Sequence, residues 1–315
     1  MESTIQTERA SDHVSTTVTE RPNHHKESNM TTAAYDNDYE EDIIAGATAL
    51  TALNKDLREA AATLSVRQAR FLVDYYYQMQ RNRIRAGHQA LKAAEASEPG
   101  AIARWALDNS STLENNIRKV LDIYSTTSVV GSWSRSICGI GPVIAAGLLA
   151  HIDIGQAPTV GHIWRFAGLD PTLPRMTKGE KRPWNARLKV VTWKAGESFV
   201  KTSNNPRDIY GHIYAERKAY EQGKNEAGEY GEQAASQLQQ FKYGKDTEAY
   251  GWYSQGKLPP AHIHARAKRY AVKVFLSHWH HVAYESTNGT PPPKPYILTQ
   301  PGHVHFLAPP NWPVR

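Results

Sequence analysis

Apolar positions recur at helical spacing along most of the chain. Leu50, Leu53, Leu57 and Ala61 keep one face, and beyond Ser65 the set Phe71, Leu72, Tyr75 and Met79 keeps another, which predicts helix across residues 43–96. After Pro99, the positions Ile102, Trp105, Leu113, Ile117, Val120 and Leu121 predict one or two further helices over 101–124. Val160, Ile163, Trp164 and Phe166 precede the turn Gly168-Leu169-Asp170-Pro171, and residues 185–201 and 206–221 again read as helices. Between 223 and 260 the chain is rich in Gly, Gln, Tyr and Lys, a long excursion with one helix near 229–241. The next strong element is 261–284. No segment alternates strands with helices and no internal repeat of roughly 20–50 residues occurs, so the pattern predicts an all-α fold.

The two ends break this pattern. Residues 1–42 are polar, close on the acidic run from Asp36 to Asp42, and are expected to be disordered. From Pro291-Pro292-Pro293 to Pro309-Pro310 the chain predicts a proline-rich extended arm, 291–315, packed along the surface. Between them lie a helical, coiled-coil-like region, 43–128, and a multi-helix domain, 129–290.

The sharpest local feature is in that domain. Val129, Val130, Trp133 and Ile137 recur before the run Cys138-Gly139-Ile140-Gly141-Pro142, and Ala145, Leu148, Leu149 and Ile152 recur after it. Two short helices joined by a glycine turn, with Pro142 at a first helical position, read as a helix-hairpin-helix. Gly139 and Gly141 clear the turn of side chains around Ile140, so its amides and the start of the second helix can approach a phosphate. The competing reading is an ordinary helical turn that needs glycine.

Charge adds to that picture. The chain carries 37 Lys and Arg against 31 Asp and Glu, a formal charge of +6, but residues 1–42 hold ten acids and three bases. Residues 43–315 therefore carry 34 bases and 21 acids, a surplus of +13 that favours a polyanionic partner. No apolar run approaches the ~20 residues that span a bilayer, and no secretory leader follows Met1, so a soluble, cytoplasmic protein is expected, nucleoid-associated if its partner is DNA. The single cysteine, Cys138, excludes an internal disulfide and reads as a small buried thiol.

Two stretches concentrate bases. Residues 175–207 contain Arg175, Lys178, Lys181, Arg182, Arg187, Lys189, Lys194, Lys201 and Arg207 against only Glu180 and Glu197, a one-sign surface suited to phosphates. Trp184 and Trp193 interleave them, either to stack on unpaired bases or, for Trp193 above all, to pack in the core. On the late helix, His262, Arg266, Arg269, Lys273 and His280 share one side, opposite Ile263, Ala267, Tyr270, Ala271 and Val274. Its many histidines, His264, His278 and His281 included, invite a metal reading, but only Glu285 joins them and the flanking arginines repel a cation. No metal or cofactor is expected. Arg67, Arg70, Arg81, Arg83 and Arg85 read as a solvated helix face.

Cys138-Gly139-Ile140-Gly141-Pro142 with Ala145, Ala146, Leu148 and Leu149, followed by Phe166-Ala167-Gly168-Leu169-Asp170-Pro171, a short basic turn and a helix bearing Arg187, resembles the C-terminal half of the insertion sequence 110/116/902 transposases. The resemblance covers about residues 129–202 and, more loosely, 261–284. It implies a DNA-binding half that carries a serine nucleophile just before a glycine in the basic turn. It also implies an N-terminal RuvC-like domain, built on a β-sheet with four metal-binding carboxylates, that completes the active site. The chain departs from this pattern twice. Its turn reads Arg175-Met176-Thr177-Lys178-Gly179, which puts Thr177 nearest the nucleophile position. Residues 1–128 show no strand with an early Asp and spaced partners, and Asp74 and Asp108 stand isolated, so a two-metal site is expected to be absent.

The leading expectation is a DNA-binding protein of a mobile element, related to that transposase half and without autonomous catalysis. It would hold the phosphate backbone of plain, branched or RNA-guided DNA through Gly139, Ile140, Gly141, Arg175, Lys178, Lys181, Arg182, Arg187, Arg266, Arg269 and Lys273. Such a protein would act as a homo-oligomer or with a separate catalytic partner. The alternatives are an active recombinase, with Thr177 as the catalytic residue and carboxylates from a partner chain, and a helical scaffold whose basic face binds acidic protein.

Overall fold

Helix starts follow the capping residues. The computed structural model describes residues 53–173, 176, 179–293 and 307–313. Helix α1 (Lys55–Ala62) begins at Asn54, whose side chain accepts the Leu57 amide. Helix α2 (Val66–Glu95) begins at a capping box in which Ser65 and Gln68 satisfy each other's amides. A short turn returns the chain along α2 as α3 (Ala101–Thr126). Ser128 caps α4 (Val129–Ser136), and Pro142 opens α5 (Pro142–His151). A 3-10 turn at Ile154–Gln156 precedes α6 (Val160–Phe166). Asn185 caps α7 (Ala186–Thr202) and Asp208 caps α8 (Ile209–Glu226). Then come α9 (Gly231–Gln240), α10 (Glu248–Ser254) and the long α11 (Pro260–Asn288), which stops at Gly289 in a left-handed conformation, φ 70°. Among the described residues there is no strand, and the fold is all-α.

Helix α5 is apolar on nearly every side, and a helix of that kind must be surrounded. It packs against α2, α3, α4 and α7, while α11 crosses beyond α7 and contacts α4, α6, α7 and α8. Their shared core centres on stacked aromatics. Trp133 lies parallel to Phe275 at 6.0 Å, and Phe199, Tyr210 and Phe275 meet one another at 5.0–5.4 Å. Val73, Ile117 and Leu121 of the α2–α3 hairpin join this same cluster, so one core runs across position 128. All described residues lie in one unit, Leu50–Arg315. The turn from α3 into α4 is closed so tightly that a Cβ on Gly131 would stand 1.7 Å from the Ser125 carbonyl oxygen.

Several sequence expectations need correction. Phe71 is 63% exposed and stacks on Tyr75, because the inward stripe of α2 runs through Ala69 and Val73, two positions away and so nearly opposite on a helix. Ile102 and Trp105 are also exposed on α3. On α11, Tyr270 faces outward and covers Arg217 instead of joining the apolar side. His280, expected on the basic side, is buried with its Nε2 bonded to the Ala157 carbonyl at 2.8 Å. The excursion holds a second helix, α10, folded with α9 around Tyr230, Ala234, Tyr253, Leu258 and Ile263.

The acidic tail, 1–42, and most of the proline-rich arm lie outside the described residues. The part of the arm that is described, 307–313, returns to the helices. The Pro310 carbonyl accepts Trp133 Nε1 at 2.7 Å, and Trp312 Nε1 donates to Glu285 at 2.7 Å. Among the described residues no helix is long and apolar enough to cross a membrane.

Candidate nucleic-acid interface

The glycine turn between α4 and α5 is built from one constrained glycine and one open one. Gly139 has φ 86°, a left-handed conformation, and a Cβ there would meet Ser198 Oγ and Thr202 Oγ1 at 3.1 Å. Ser198 also donates to the Gly139 carbonyl at 2.6 Å, which ties the turn to the last turns of α7. Gly141 has extended backbone and nothing within 4 Å of a Cβ, so this side of the turn faces open space. It caps α5 without a side-chain hydrogen bond, which leaves the first-turn amides of that helix without a side-chain partner. Ile140 is different from both. Its side chain is buried in the core, and its carbonyl accepts from Arg135 at 2.7 Å.

The basic segment and the late helix meet at the other end of α7. Lys189 reaches back over the Trp184 ring at 4.2 Å, beside Gly168. Burial, and then the charges of Arg182 and Arg269, hold its amine below the usual lysine value. Arg269, exposed on α11, is held down in turn by partial loss of water and by Arg266, with the Glu221 carboxylate opposing. No carboxylate pairs with Arg182, Lys189 or Arg269 among the described residues. Lys273 continues this face over the Trp164 ring at 4.2 Å. Trp193, expected in the core, is 51% exposed and lies between Lys194 and Lys268 at 5.4 and 5.3 Å.

Other residues expected at the interface are already engaged within the protein. Arg266 is bonded to Glu221 at 2.8 Å, and Glu221 is 1% exposed and also takes Arg217 and the Tyr230 hydroxyl. These three donors hold the Glu221 carboxyl below its ordinary value against the opposing effect of burial. Arg266 is therefore the counter-ion of a buried carboxylate, and Tyr230 lies 4.8 Å beneath its guanidinium. Arg187 pairs with Asp74 of α2 at 2.6 Å, so Asp74 is not isolated. Lys181 and Arg182 are exposed before α7. Arg175, Thr177 and Lys178 lie outside the described residues.

Four histidines of α11, His262, His264, His278 and His280, are built into the packing. His262, His264 and His278 each meet a tyrosine hydroxyl, from Tyr253, Tyr214 and Tyr210 at 3.1, 2.8 and 2.7 Å. The His278 Nε2 reaches the Leu307 carbonyl at 2.8 Å, and burial pushes this imidazole down to about 4. Among the described residues no three His, Cys, Asp or Glu side chains gather as a metal-binding group.

In the sequence Lys189 is one base among the nine of residues 175–207, and nothing local pairs Trp184 with it. Their role comes from α11 crossing α7, which leaves no local signature. No family model matches the chain, and no curated protein or solved structure matches it.

Proposed function

We propose that this chain binds the phosphate backbone of nucleic acid, as the recognition half of a transposase-related system of a mobile element, without cutting DNA by itself. The observation that carries the reading is the grouping of Arg182, Lys189 and Arg269, none of them in an ion pair among the described residues, with Lys189 seated over Trp184. Three cations held together raise the free energy of the unliganded protein, and a polyanion relieves that repulsion while releasing its own counterions. Trp184 backs Lys189, and Lys273 extends the same charge along α11.

The glycine turn supplies a second point of attachment. Gly141 and the first turn of α5 offer unencumbered amides where the helix carries partial positive charge. The turn touches α7 at Ser198 and Thr202, whereas the cationic cluster sits at Lys189, so the two are separated by about 14–20 Å of helix. That distance corresponds to roughly four to six base pairs along a duplex. The one-sided charge of this face also sets it against an acidic-protein scaffold only by degree, so the salt law of binding is the test. Binding of a fluorescent duplex to the full chain, measured by anisotropy at graded salt, is expected to weaken linearly in log–log form. The double variant Lys189→Gln, Arg269→Gln is expected to flatten the slope by about 0.9 for each phosphate it no longer neutralises. An unchanged slope in a folded double variant refutes the reading.

A further inference from the structure

A cleft of about 630 Å³ opens beside the glycine turn, between the end of α4, the α7–α8 connection and the returning C-terminal segment. Its size is within the roughly 300–1,000 Å³ of ordinary small-ligand sites. Cys138 and Ser136 form one wall, Pro206, Arg207 and Ile209 another, and Pro310 and Asn311 a third. The charges in it are unequal. Arg135 is fixed by Asp122 at 2.9 Å and by the Ile140 carbonyl, so its charge is offset within the protein. Arg207 is exposed, its backbone amide is held by Asn205 at 3.0 Å, and no carboxylate pairs with its guanidinium among the described residues. The nearest acid in sequence, Asp208, is buried and committed to Thr202 and the Gly211 amide.

The walls are as specific as the charge. Pro206, Ile209 and Pro310 present apolar faces with no donors. Asn311, with a left-handed φ of 56°, spends its amide nitrogen on Ser136 and keeps its amide oxygen as an acceptor. One uncompensated guanidinium, apolar walls and a lone amide acceptor suit a phosphate joined to a flat ring with polar edges.

We infer that this cleft takes an unpaired nucleotide of a nucleic-acid strand, its phosphate on Arg207 and its base between Pro206, Ile209 and Pro310. The inference rests on the reading of the chain as a nucleic-acid-binding protein, and it adds a preference for unpaired over paired strand. A base in a duplex is stacked and paired, and entering a cleft would cost it a few kcal/mol of unstacking.

Cys138 lines the cleft and is the sole cysteine of the chain, so its alkylation reports occupancy at one place. The full-length protein is treated with a small maleimide and followed by mass spectrometry, with and without a short oligothymidylate. Labelling is expected to slow about tenfold at an oligonucleotide concentration ten times its dissociation constant. A blunt duplex at equal nucleotide concentration is expected to leave the rate nearly unchanged. Arg207→Gln, an exposed position whose change leaves the core intact, is expected to weaken oligothymidylate binding by about tenfold and so to cut the slowing of Cys138 labelling from about tenfold to about twofold at the same concentration. The Lys189→Gln, Arg269→Gln variant separates the two readings, because it is expected to lose duplex affinity and keep Cys138 protection. The inference is overturned if Cys138 is unreactive in the free folded protein, if the oligonucleotide gives no protection, if Arg207→Gln leaves the protection undiminished, or if duplex protects equally. Absence of duplex binding with protection intact overturns the duplex reading alone.

Discussion

Glycines that look equivalent in the sequence have different tasks at the residue scale. Gly139 is held left-handed and pressed against Ser198 and Thr202, whereas Gly141 faces open space. Gly139→Ala is therefore expected to destabilise the protein by about 1–2 kcal/mol through backbone strain alone, with the close approach of the two hydroxyls adding to it. Gly141→Ala is expected to leave the stability, measured by urea unfolding, within about 0.5 kcal/mol of the parent. A bulkier Gly141→Val is expected to stay folded and to weaken nucleic-acid binding for all sequences alike, since it crowds the amides of the α5 start. Equal binding by parent and folded Val variant removes the turn from the interface.

The same contrast holds between the bases of an element. Arg266, Arg269 and Lys273 follow one another on α11 at spacings that put them on one side, yet their surroundings differ. Arg266 answers a buried carboxylate, Arg269 stands among cations, and Lys273 lies on Trp164. Arg266→Gln is expected to lower stability by about 2 kcal/mol, because Glu221 keeps Arg217 and Tyr230 but loses one of its charged partners. Its effect on the salt slope of binding is expected to be small, and a slope change as large as that of Arg269→Gln in a stable protein contradicts this division. On α7, Lys189 belongs with Arg269 and not with Lys194 or Lys201, which lie further along the same helix.

At the scale of the whole molecule, five of the described histidines are packed so that their neutral form is favoured. Burial holds His151, His262, His264, His278 and His280 below the ordinary imidazole value, His278 at about 4. Below pH 6.5 the unfolded chain takes up protons that the folded chain refuses. Stability is thus full above pH 6.5 and falls as pH drops toward 4. From His278 alone, 5% exposed, the loss between about pH 7.5 and about pH 5 is on the order of 2 kcal/mol. Urea midpoints that do not move over this interval contradict the burial of these rings. His151 is buried with neither ring nitrogen hydrogen-bonded, so no hydrogen bond in the fold offsets the cost of charging it. The chemistry expected of the molecule is binding alone. Supercoiled or branched DNA incubated with the protein and magnesium or manganese is expected to give no cleavage and no protein–DNA adduct on denaturing gels. An adduct that disappears in Thr177→Ala establishes the recombinase alternative.

Local periodicity and local capping determined the helices, and these were legible without a fold. Ser65 with Gln68, Asn185, and Gly139 with Pro142 act on their immediate neighbours, so the all-α class, most helix positions and the glycine turn could be read from spacing alone. Tertiary structure decided which side chains remain available. The amphipathic pattern of α11 gave Arg266 and Arg269 the same standing, and only the docking of α8 and α7 against it locks one to Glu221 and brings the other to Lys189. The burial of His280, the exposure of Trp193 and the cleft at Cys138 follow from the same cause. Each is set by segments far apart in the chain, where hydrophobic patterning specifies that a face is covered but not which charges its covering brings together.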